Sequence, residues 1–167
     1  ADARELRLAS GAPPVHPAVD PLYNSFTELL PQETNGALTG VQIGPEVINI
    51  VQVKSAIQSG LADVGNLLPL FAAADLPNSV LTADLAFLAT NPHAMGAAMT
   101  EYVVTCGEGQ EEFKKVGGVF MGAGSSDVYV LLTTKPVRSA EDLKGLRLRS
   151  GGAPYARWAD AVGAAPA

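Results

Sequence analysis

Cysteine, long apolar runs and clustered basic residues are all scarce in this sequence. The single cysteine among 167 residues, Cys106, cannot form an internal disulfide, so cysteine content neither requires nor excludes an oxidising compartment. No apolar run approaches the ~18 residues that a membrane-spanning helix needs. Lys and Arg total 11 against 17 Asp and Glu, which gives a net charge of −6. Because nucleic acids and anionic membranes select clustered Lys and Arg, we expect no nucleic-acid partner.

Patterns typical of metal binding and catalysis are also missing. His16 and His93 have no acidic or cysteine neighbour at metal-ligand spacing, so neither a metal site nor a cofactor is expected. Ser125 and Ser126 stand beside Asp127, but no histidine is near and the nucleophile pattern G-x-S-x-G is absent. A hydrolase or other enzyme on an α/β fold therefore stays open only as an alternative.

An apolar content of 47 % with 17 % charged residues is typical of a globular chain. Apolar residues alternate or form short β-branched runs in some stretches, and recur at i, i+3, i+4 and i+7 in others. The predicted strands are 5–8, 38–43, 62–65, 119–121 and 128–134, the predicted helices are 20–31, 50–61, 91–106 and 110–115, and a further apolar run covers 85–88. This order predicts an α/β fold with a mostly parallel sheet and helices on both faces.

The stretch 137–166 reads as a helical turn, a short strand and a closing helix. Ser139 and Asp142 have the spacing of a capping box, so a turn of helix should begin at Ala140. Leucines then alternate with Arg147 and Arg149, which predicts a strand with one apolar and one cationic face. Ligands of open α/β folds bind beyond the carboxyl ends of strands, which favours Arg149 as a ligand residue. Spacing alone also fits, and favours, a solvated cationic strand face with acidic partners.

Three segments resemble one protein family. DLKGLRLRSGGAPYARWADAVGAAP (142–166) is similar to the segment D-L-K-G-L-K-I-R, loop, helix and A-L-G-A-x-P of the DctP-type substrate-binding proteins of TRAP transporters. QSGLADVGN (58–66) resembles the family's Q-x-G-x-x-D-x-G segment, and TTKPVRSAEDLKG (133–145) resembles its crossover between lobes. The resemblance spans most of the chain. It implies a protein that captures a small organic acid in a cleft between two lobes and delivers it to the membrane subunits of a TRAP permease.

The resemblance also implies a domain organisation. The fold would be periplasmic-binding-protein-like, with a first α/β lobe at 1–127, an interlobe crossover and hinge strand at 128–136, and the start of a second lobe at 137–167. The family is usually about twice as long, so we expect the remainder of the second lobe as a further part of the protein. The chain begins ADARELRLAS, without a basic and apolar leader, which fits a mature periplasmic protein whose signal peptide has been removed. A ligand-sensing domain of a signalling system is a further alternative.

Candidate ligand residues follow from the resemblance position by position. The arginine that ends the family's K-I-R strand is its carboxylate clamp and falls on Arg149, and Gly151 follows in the same loop. Tyr129 occupies a position where the family often has a second cation, although a strand aromatic packed in the sheet explains it equally well. Ser10, His16 and Asn66 match first-lobe positions that line the cleft. The predicted ligand-binding residues are therefore Arg149, Asn66, Tyr129, Ser10, His16 and Gly151.

Overall fold

A computed structural model describes residues 3–81, 89, 91–126 and 129–167. The chain forms two compact units, which are treated separately below. Unit 1 comprises Ala1–Leu68 and Lys114–Gly118, and unit 2 comprises Pro69–Phe113 and Val119–Ala167. The predicted apolar run at 85–88 and the first residue of the predicted crossover, Val128, lie outside the described residues, as does Asp127. The predicted lobe boundaries stay a prediction.

Unit 1 is built on a three-stranded parallel sheet. Its strands are β1 (Arg4–Ala9), β2 (Leu38–Ile43) and β3 (Val64–Gly65), in the spatial order β2-β1-β3. The central strand β1 pairs with β2 along its whole length, from Arg4 opposite Leu38 to Ala9 opposite Ile43. It pairs with β3 only at its end, where Ala9 lies opposite Gly65. All three predicted strands of this region are confirmed.

Helices cover both faces of this sheet. They are a π-helix at Val19–Asn24 that leads directly into α1 (Ser25–Glu33), and α2 (Val53–Gln58). Consecutive strand residues point to opposite faces, and both Leu8 and Ala9 are fully buried. Leu8 packs with Val19 and Tyr23 on one face, while Ala9 packs with Val53 on the other. The sheet is therefore sandwiched between helices, which confirms the predicted α/β architecture.

Two helices of unit 1 differ from their predicted bounds. The helix α1 continues two residues past the predicted end at 31, to Glu33, with Pro31 inside it. The helix α2 is shorter than the predicted 50–61, although Gly60 has the left-handed conformation expected of a helix stop (φ 71°). A close approach holds α2 on the sheet, since a Cβ at Gly65 would lie 2.5 Å from Val53 Cγ1. A side chain at position 65 would push the helix off the strand.

Unit 2 contains most of the remaining helix. Its elements are a 3₁₀ turn at Pro69–Phe71, α3 (Pro92–Thr105), α4 (Gly107–Lys115), a 3₁₀ turn at Ala140–Leu143, β4 (Arg147–Leu148), α5 (Ala153–Ala161) and β5 (Ala165–Pro166). The last two residues of α4 fall in unit 1. The Asn91 side chain caps α3 by accepting hydrogen bonds from the backbone N–H of His93 (2.9 Å) and Ala94 (3.1 Å). Within the described residues, no helix is long and apolar enough to cross a membrane.

The end of the chain forms a strand-helix-strand unit. The capping box predicted at Ser139 and Asp142 is present and starts the 3₁₀ turn. After it, β4 and β5 pair in parallel with α5 between them, and Arg147 lies opposite Ala165. Trp158 lies on the apolar stripe of α5, which predicts a core position, but it is 41 % exposed, and Ala159 is the buried residue of this helix. This βαβ arrangement places the loop after Arg147 and Leu148 at the carboxyl end of a parallel strand pair.

The strand predictions for 119–121 and for the described part of 128–134 are wrong. Neither 119–121 nor 129–134 forms a strand in the structure. Apart from Phe120, which is half-buried, the side chains of these stretches are exposed instead, with Val119 and Leu132 both at 89 %. A strand is defined by its backbone pairing with a neighbour, and neither segment has a partner strand in the described part of the chain. High β-propensity without a partner has left two extended apolar segments.

The most deeply buried acid of the described chain lies on α4. Glu112 is 4 % exposed, although the sequence suggests only a short polar helix here. Its carboxylate accepts hydrogen bonds from the backbone N–H of Asn78 (2.6 Å), the backbone N–H of Ser79 (3.0 Å) and the Ser79 hydroxyl (2.8 Å). Glu112 therefore anchors the 78–79 segment to α4.

Candidate functional site

The strand order of unit 1 creates a topological switch point. From the central strand β1 the chain passes to β2 on one side, and β3 then adds on the other side. In open α/β sheets ligands bind at such a point, beyond the carboxyl ends of the strands. Ser10 directly follows β1 and Asn66 directly follows β3, and the Asn66 N–H donates to Ala9 O (3.1 Å). The structure thus brings Ser10 and Asn66 to adjacent strand ends.

Ser10 and Asn66 differ in whether their side chains form intramolecular hydrogen bonds within the described residues. Ser10 is buried, and its hydroxyl donates to Ala12 O (3.1 Å) and accepts from the Ala12 N–H (3.3 Å), so it shapes the loop after β1. Gly11 fits here because its φ is 69° and a Cβ would lie 2.5 Å from Ile50 Cα. The Asn66 side chain is half-buried and makes no hydrogen bond among the residues that the structure describes. Its amide therefore has no intramolecular partner within the described ranges, and its ligand role stays a prediction.

His16 lies further along the same loop and serves a local turn. Its Nδ1 accepts a hydrogen bond from the Ala18 N–H (3.2 Å), and its carbonyl accepts from the Val19 N–H (2.8 Å) at the start of the π-helix. The imidazole is exposed. The structure does not join His16 to Ser10 or Asn66 through a hydrogen bond within the described residues, and its ligand role stays a prediction.

Arg149 follows β4 at the carboxyl end of the strand pair in unit 2. Arg147 and Arg149 are both exposed while Leu148 between them is half-buried, as the predicted alternation requires. In the described part of the chain, neither guanidinium has a hydrogen bond or an ion pair with an acidic residue. The acidic partners that a purely structural cationic face would use are therefore not found there. Arg149 differs from Arg147 in standing past the strand end, where the chain turns into the loop before α5.

Tyr155, which is not among the predicted ligand residues, lies next to Gly151 and contacts Tyr129. Tyr155, in the first turn of α5, has its Cδ2 3.9 Å from the position of a Cβ on Gly151. The ring of Tyr155 also contacts that of Tyr129, with centroids 5.0 Å apart and planes tilted by 44°. In the sequence, Tyr155 reads only as a member of the apolar stripe of its helix. Its position in the first turn after a Gly-Gly loop was the signal that could have identified it.

Electrostatics near this loop are mild. Burial raises the pKa of the Tyr155 hydroxyl, and the neighbouring Tyr129 adds to the rise through its charge and a hydrogen bond. The Tyr155 hydroxyl therefore keeps its proton at physiological pH. No group of three or more His, Cys, Asp or Glu residues within the described ranges is arranged to hold a metal ion. The loop thus places the exposed guanidinium of Arg149 in the same chain segment as Gly151, beside the contacting rings of Tyr129 and Tyr155.

Solved structures similar to this chain define its fold. DctP6 of Bordetella pertussis, an extracytoplasmic solute receptor binding pyroglutamic acid, aligns with a TM-score of 0.78 and 21 % identity over 98 % of this chain and 53 % of its own. A TRAP periplasmic solute-binding protein of Bordetella bronchiseptica with bound mandelate gives 0.73 and 24 % over 98 % and 51 %. One from Rhodoferax ferrireducens with copurified benzoate gives 0.76 and 20 % over 99 % and 51 %. The fold is that of two-lobe periplasmic binding proteins, and the chain spans about half their length.

The sequence match identifies the family. Residues 8–167 match the DctP family, bacterial extracellular solute-binding protein family 7, so the chain belongs to this family of TRAP solute-binding proteins. The resemblance predicted from the three sequence segments is confirmed. The family consists of extracytoplasmic solute-binding transport proteins and is not a class of enzymes. No curated protein sequence is significantly similar to the chain.

Proposed function

We propose that the complete protein is a periplasmic receptor that binds a small organic carboxylate through Arg149, does not convert it, and delivers it to a TRAP-type permease. The observation that carries the proposal is the position of Arg149. It follows the carboxyl end of β4 in a βαβ unit, it is exposed, and it has no acidic partner among the described residues. The proposal includes export to the periplasm and removal of a signal peptide.

Guanidinium chemistry suits this role. Its planar fork donates two parallel hydrogen bonds to a carboxylate and keeps its charge at any working pH. An exposed arginine without an internal acid does not have to break an ion pair before it binds a ligand. The solved structures with similar folds add support, since the ligands described for three of them, pyroglutamic acid, mandelate and benzoate, are all carboxylic acids or their anions.

Further ligand residues are proposed in each unit. In unit 1 these are Asn66, whose amide is free within the described residues, together with Ser10 and His16. In unit 2 they are Gly151 and Tyr129. Asn66 has the best support in unit 1, because it lies at the switch point and its side chain has no partner in the described chain. Ser10 acts through the loop that its hydroxyl holds.

A carboxylate panel with three arginine variants tests the proposal. Thermal shift of the complete protein should identify an acid that stabilises it by roughly 2.7 kcal/mol at about 100 times its Kd. Arg149→Ala should then weaken binding at least about tenfold, because hydrogen bonds to a charged group are worth about 1.5–3 kcal/mol. Arg149→Lys keeps the charge but loses the fork, so it should recover only part of the affinity.

Arg147→Ala is the matched control, since Arg147 is an exposed arginine two residues before Arg149 and also has no acidic partner among the described residues. It should change the affinity little. Equal and small losses of affinity in Arg147→Ala and Arg149→Ala, measured by isothermal titration, would show that both residues only form a solvated cationic face. The mass of the ligand recovered after incubation separates a receptor from an enzyme, because a receptor returns the compound unchanged.

A further inference from the structure

Tyr129 and Tyr155, hereafter the tyrosine pair, form an aromatic contact in unit 2. Their centroid separation of 5.0 Å and tilt of 44° are typical of stabilising aromatic contacts. The contact does not cover the rings fully, since Tyr129 remains 60 % exposed and Tyr155 is only half-buried. A large part of the Tyr129 ring is therefore open to a further flat group.

The tyrosine pair is connected to the arginine loop by local geometry. Tyr155 stands in the first turn of α5, and its ring edge reaches Gly151, two residues after Arg149. A Cβ at position 151 would lie in van der Waals contact with Tyr155 Cδ2, but Gly151 has no side chain, so nothing from that position covers the ring edge. Tyr155 in turn positions Tyr129, which comes from a segment distant in sequence.

The chemistry of this loop selects for one kind of acid. One guanidinium balances one carboxylate, while a tyrosine side chain cannot supply a second positive charge for a dianion. Aromatic faces gain most from flat, polarizable partners in offset or tilted contact, and gain less from a saturated ring of similar size. Two phenol groups also supply hydrogen-bond donors and acceptors at the edge of the pair.

We propose that the tyrosine pair makes this protein select planar monocarboxylates, whose carboxylate is attached to an aromatic ring, over saturated acids and aliphatic dicarboxylates. This inference rests on the proposed function, because Arg149 must bind the carboxylate. It assigns Tyr129 and Tyr155 as the residues that determine specificity. Of these two, Tyr155 is identified only from the structure.

The test compares benzoate with cyclohexanecarboxylate and succinate by isothermal titration of the complete protein. Benzoate and cyclohexanecarboxylate carry the same charge on rings of similar size, so their affinity ratio isolates the contribution of the flat ring. We expect benzoate to bind at least about fivefold more tightly than cyclohexanecarboxylate, and succinate to bind more weakly than benzoate. Tyr129→Leu and Tyr155→Leu should each move the ratio towards one.

The conservative changes Tyr129→Phe and Tyr155→Phe keep the rings and should restore the preference for benzoate, which a merely structural loss would not do. Tyr102→Leu removes a tyrosine ring elsewhere in unit 2 and should leave the ratio unchanged. If cyclohexanecarboxylate or succinate binds as tightly as benzoate, and still depends on Arg149, the inference is overturned while the proposed function stands. If no carboxylate depends on Arg149, the proposed function fails and the inference fails with it.

Discussion

Glu112 is a charged residue in a buried environment, where removing a carboxylate from water costs several kcal/mol unless hydrogen bonds replace the lost solvation. Three donors replace it here, two backbone N–H groups and the hydroxyl of Ser79. Every donor comes from residues 78–79, more than thirty positions earlier in the chain. The carboxylate thus connects two distant segments of unit 2 through charge-assisted bonds.

Glu112→Gln is expected to destabilise unit 2 by about 1–3 kcal/mol. The amide keeps the size of the side chain, but its NH₂ group has to face a donor, which leaves that donor without an acceptor. Urea unfolding followed by circular dichroism measures the change. Glu101→Gln, an exposed acid on α3, is the control and should stay within about 0.5 kcal/mol of the parent chain. Equal midpoints for the two variants would show that the buried bonds contribute nothing.

Single residues also mark how far the sequence could lead. Arg149 could be selected because its signals are local, an alternating strand and a recognisable segment around it. The burial of Glu112 could not be predicted, since the partner that explains it lies on a segment far away in the sequence. The contact of Tyr155 with Tyr129 was hidden for the same reason. Side-chain pairs formed by tertiary packing leave no periodic trace in a single sequence.

At the scale of elements, β3 is a two-residue strand that gains support from the side chain of Asp63. The carboxylate accepts hydrogen bonds from the Arg7 backbone N–H (2.9 Å) and Arg7 Nε (3.0 Å) and lies 3.6 Å from Arg4 Nη2. The Asp63 N–H donates to Arg7 O (2.8 Å). These contacts tie β3 to the central strand just before Asn66, so they help to position the proposed ligand residue.

The contacts of the Asp63 carboxylate with Arg7 and Arg4, hereafter the Asp63 link, should make the stability of the chain depend on pH. The backbone hydrogen bond from Arg7 is the largest cause of the lowered pKa of Asp63. The hydrogen bond from the Arg7 side chain and the charges of Arg7 and Arg4 lower it further. Because the folded pKa lies below the unfolded value near 4, the contribution is fully present above that value and is lost as the pH falls through the folded pKa. We expect Asp63→Asn to cost about 1 kcal/mol at neutral pH, and the difference from the parent chain to shrink in acid.

Chemical unfolding of the parent and Asp63→Asn chains across a pH series measures this dependence. Glu33→Gln serves as the control, because the Glu33 side chain is exposed and has no hydrogen bond or ion pair within the described residues. A difference in free energy of unfolding that stays constant from neutral to acidic pH would contradict the link.

Elements with local signals were predictable, and elements that need a partner were not. The helix predicted from residue 91 and the capping box of Ser139 and Asp142 match the observed starts of helical turns. Alternation located β1, and apolar β-formers located β2. The segments 119–121 and 129–134 have the composition of strands, yet a strand forms only where another backbone pairs with it. Composition reports the tendency of a segment and not the presence of its neighbour.

At the scale of the whole molecule, several exposed apolar side chains of the 167-residue chain are concentrated in two segments. Those of segments 119–121 and 129–132 that are exposed are Val119, Met121, Tyr129, Val130, Leu131 and Leu132. Extended apolar segments with unpaired backbone groups are templates for association. The chain also spans about half the length of the solved structures with its fold.

We therefore expect this 167-residue chain to self-associate at concentrations on the order of 100 µM. Leu132→Lys and Val119→Lys should each shift sedimentation-velocity profiles towards monomer, since a charge on such a segment opposes pairing. Val15→Lys is the control, because Val15 is exposed on a loop outside both segments and should not affect association. A chain that is already fully monomeric at this concentration would contradict the prediction.

The partly exposed side chain of Trp158 gives the molecule a built-in optical probe. It is the only tryptophan among the 167 residues and lies on α5, one helical turn after Tyr155. Selectively excited indole emission from this chain therefore originates at one position of unit 2, while unit 1 is silent in that spectrum. A wavelength shift or quenching reports directly on the surroundings of α5, with no label attached and no averaging over several emitters.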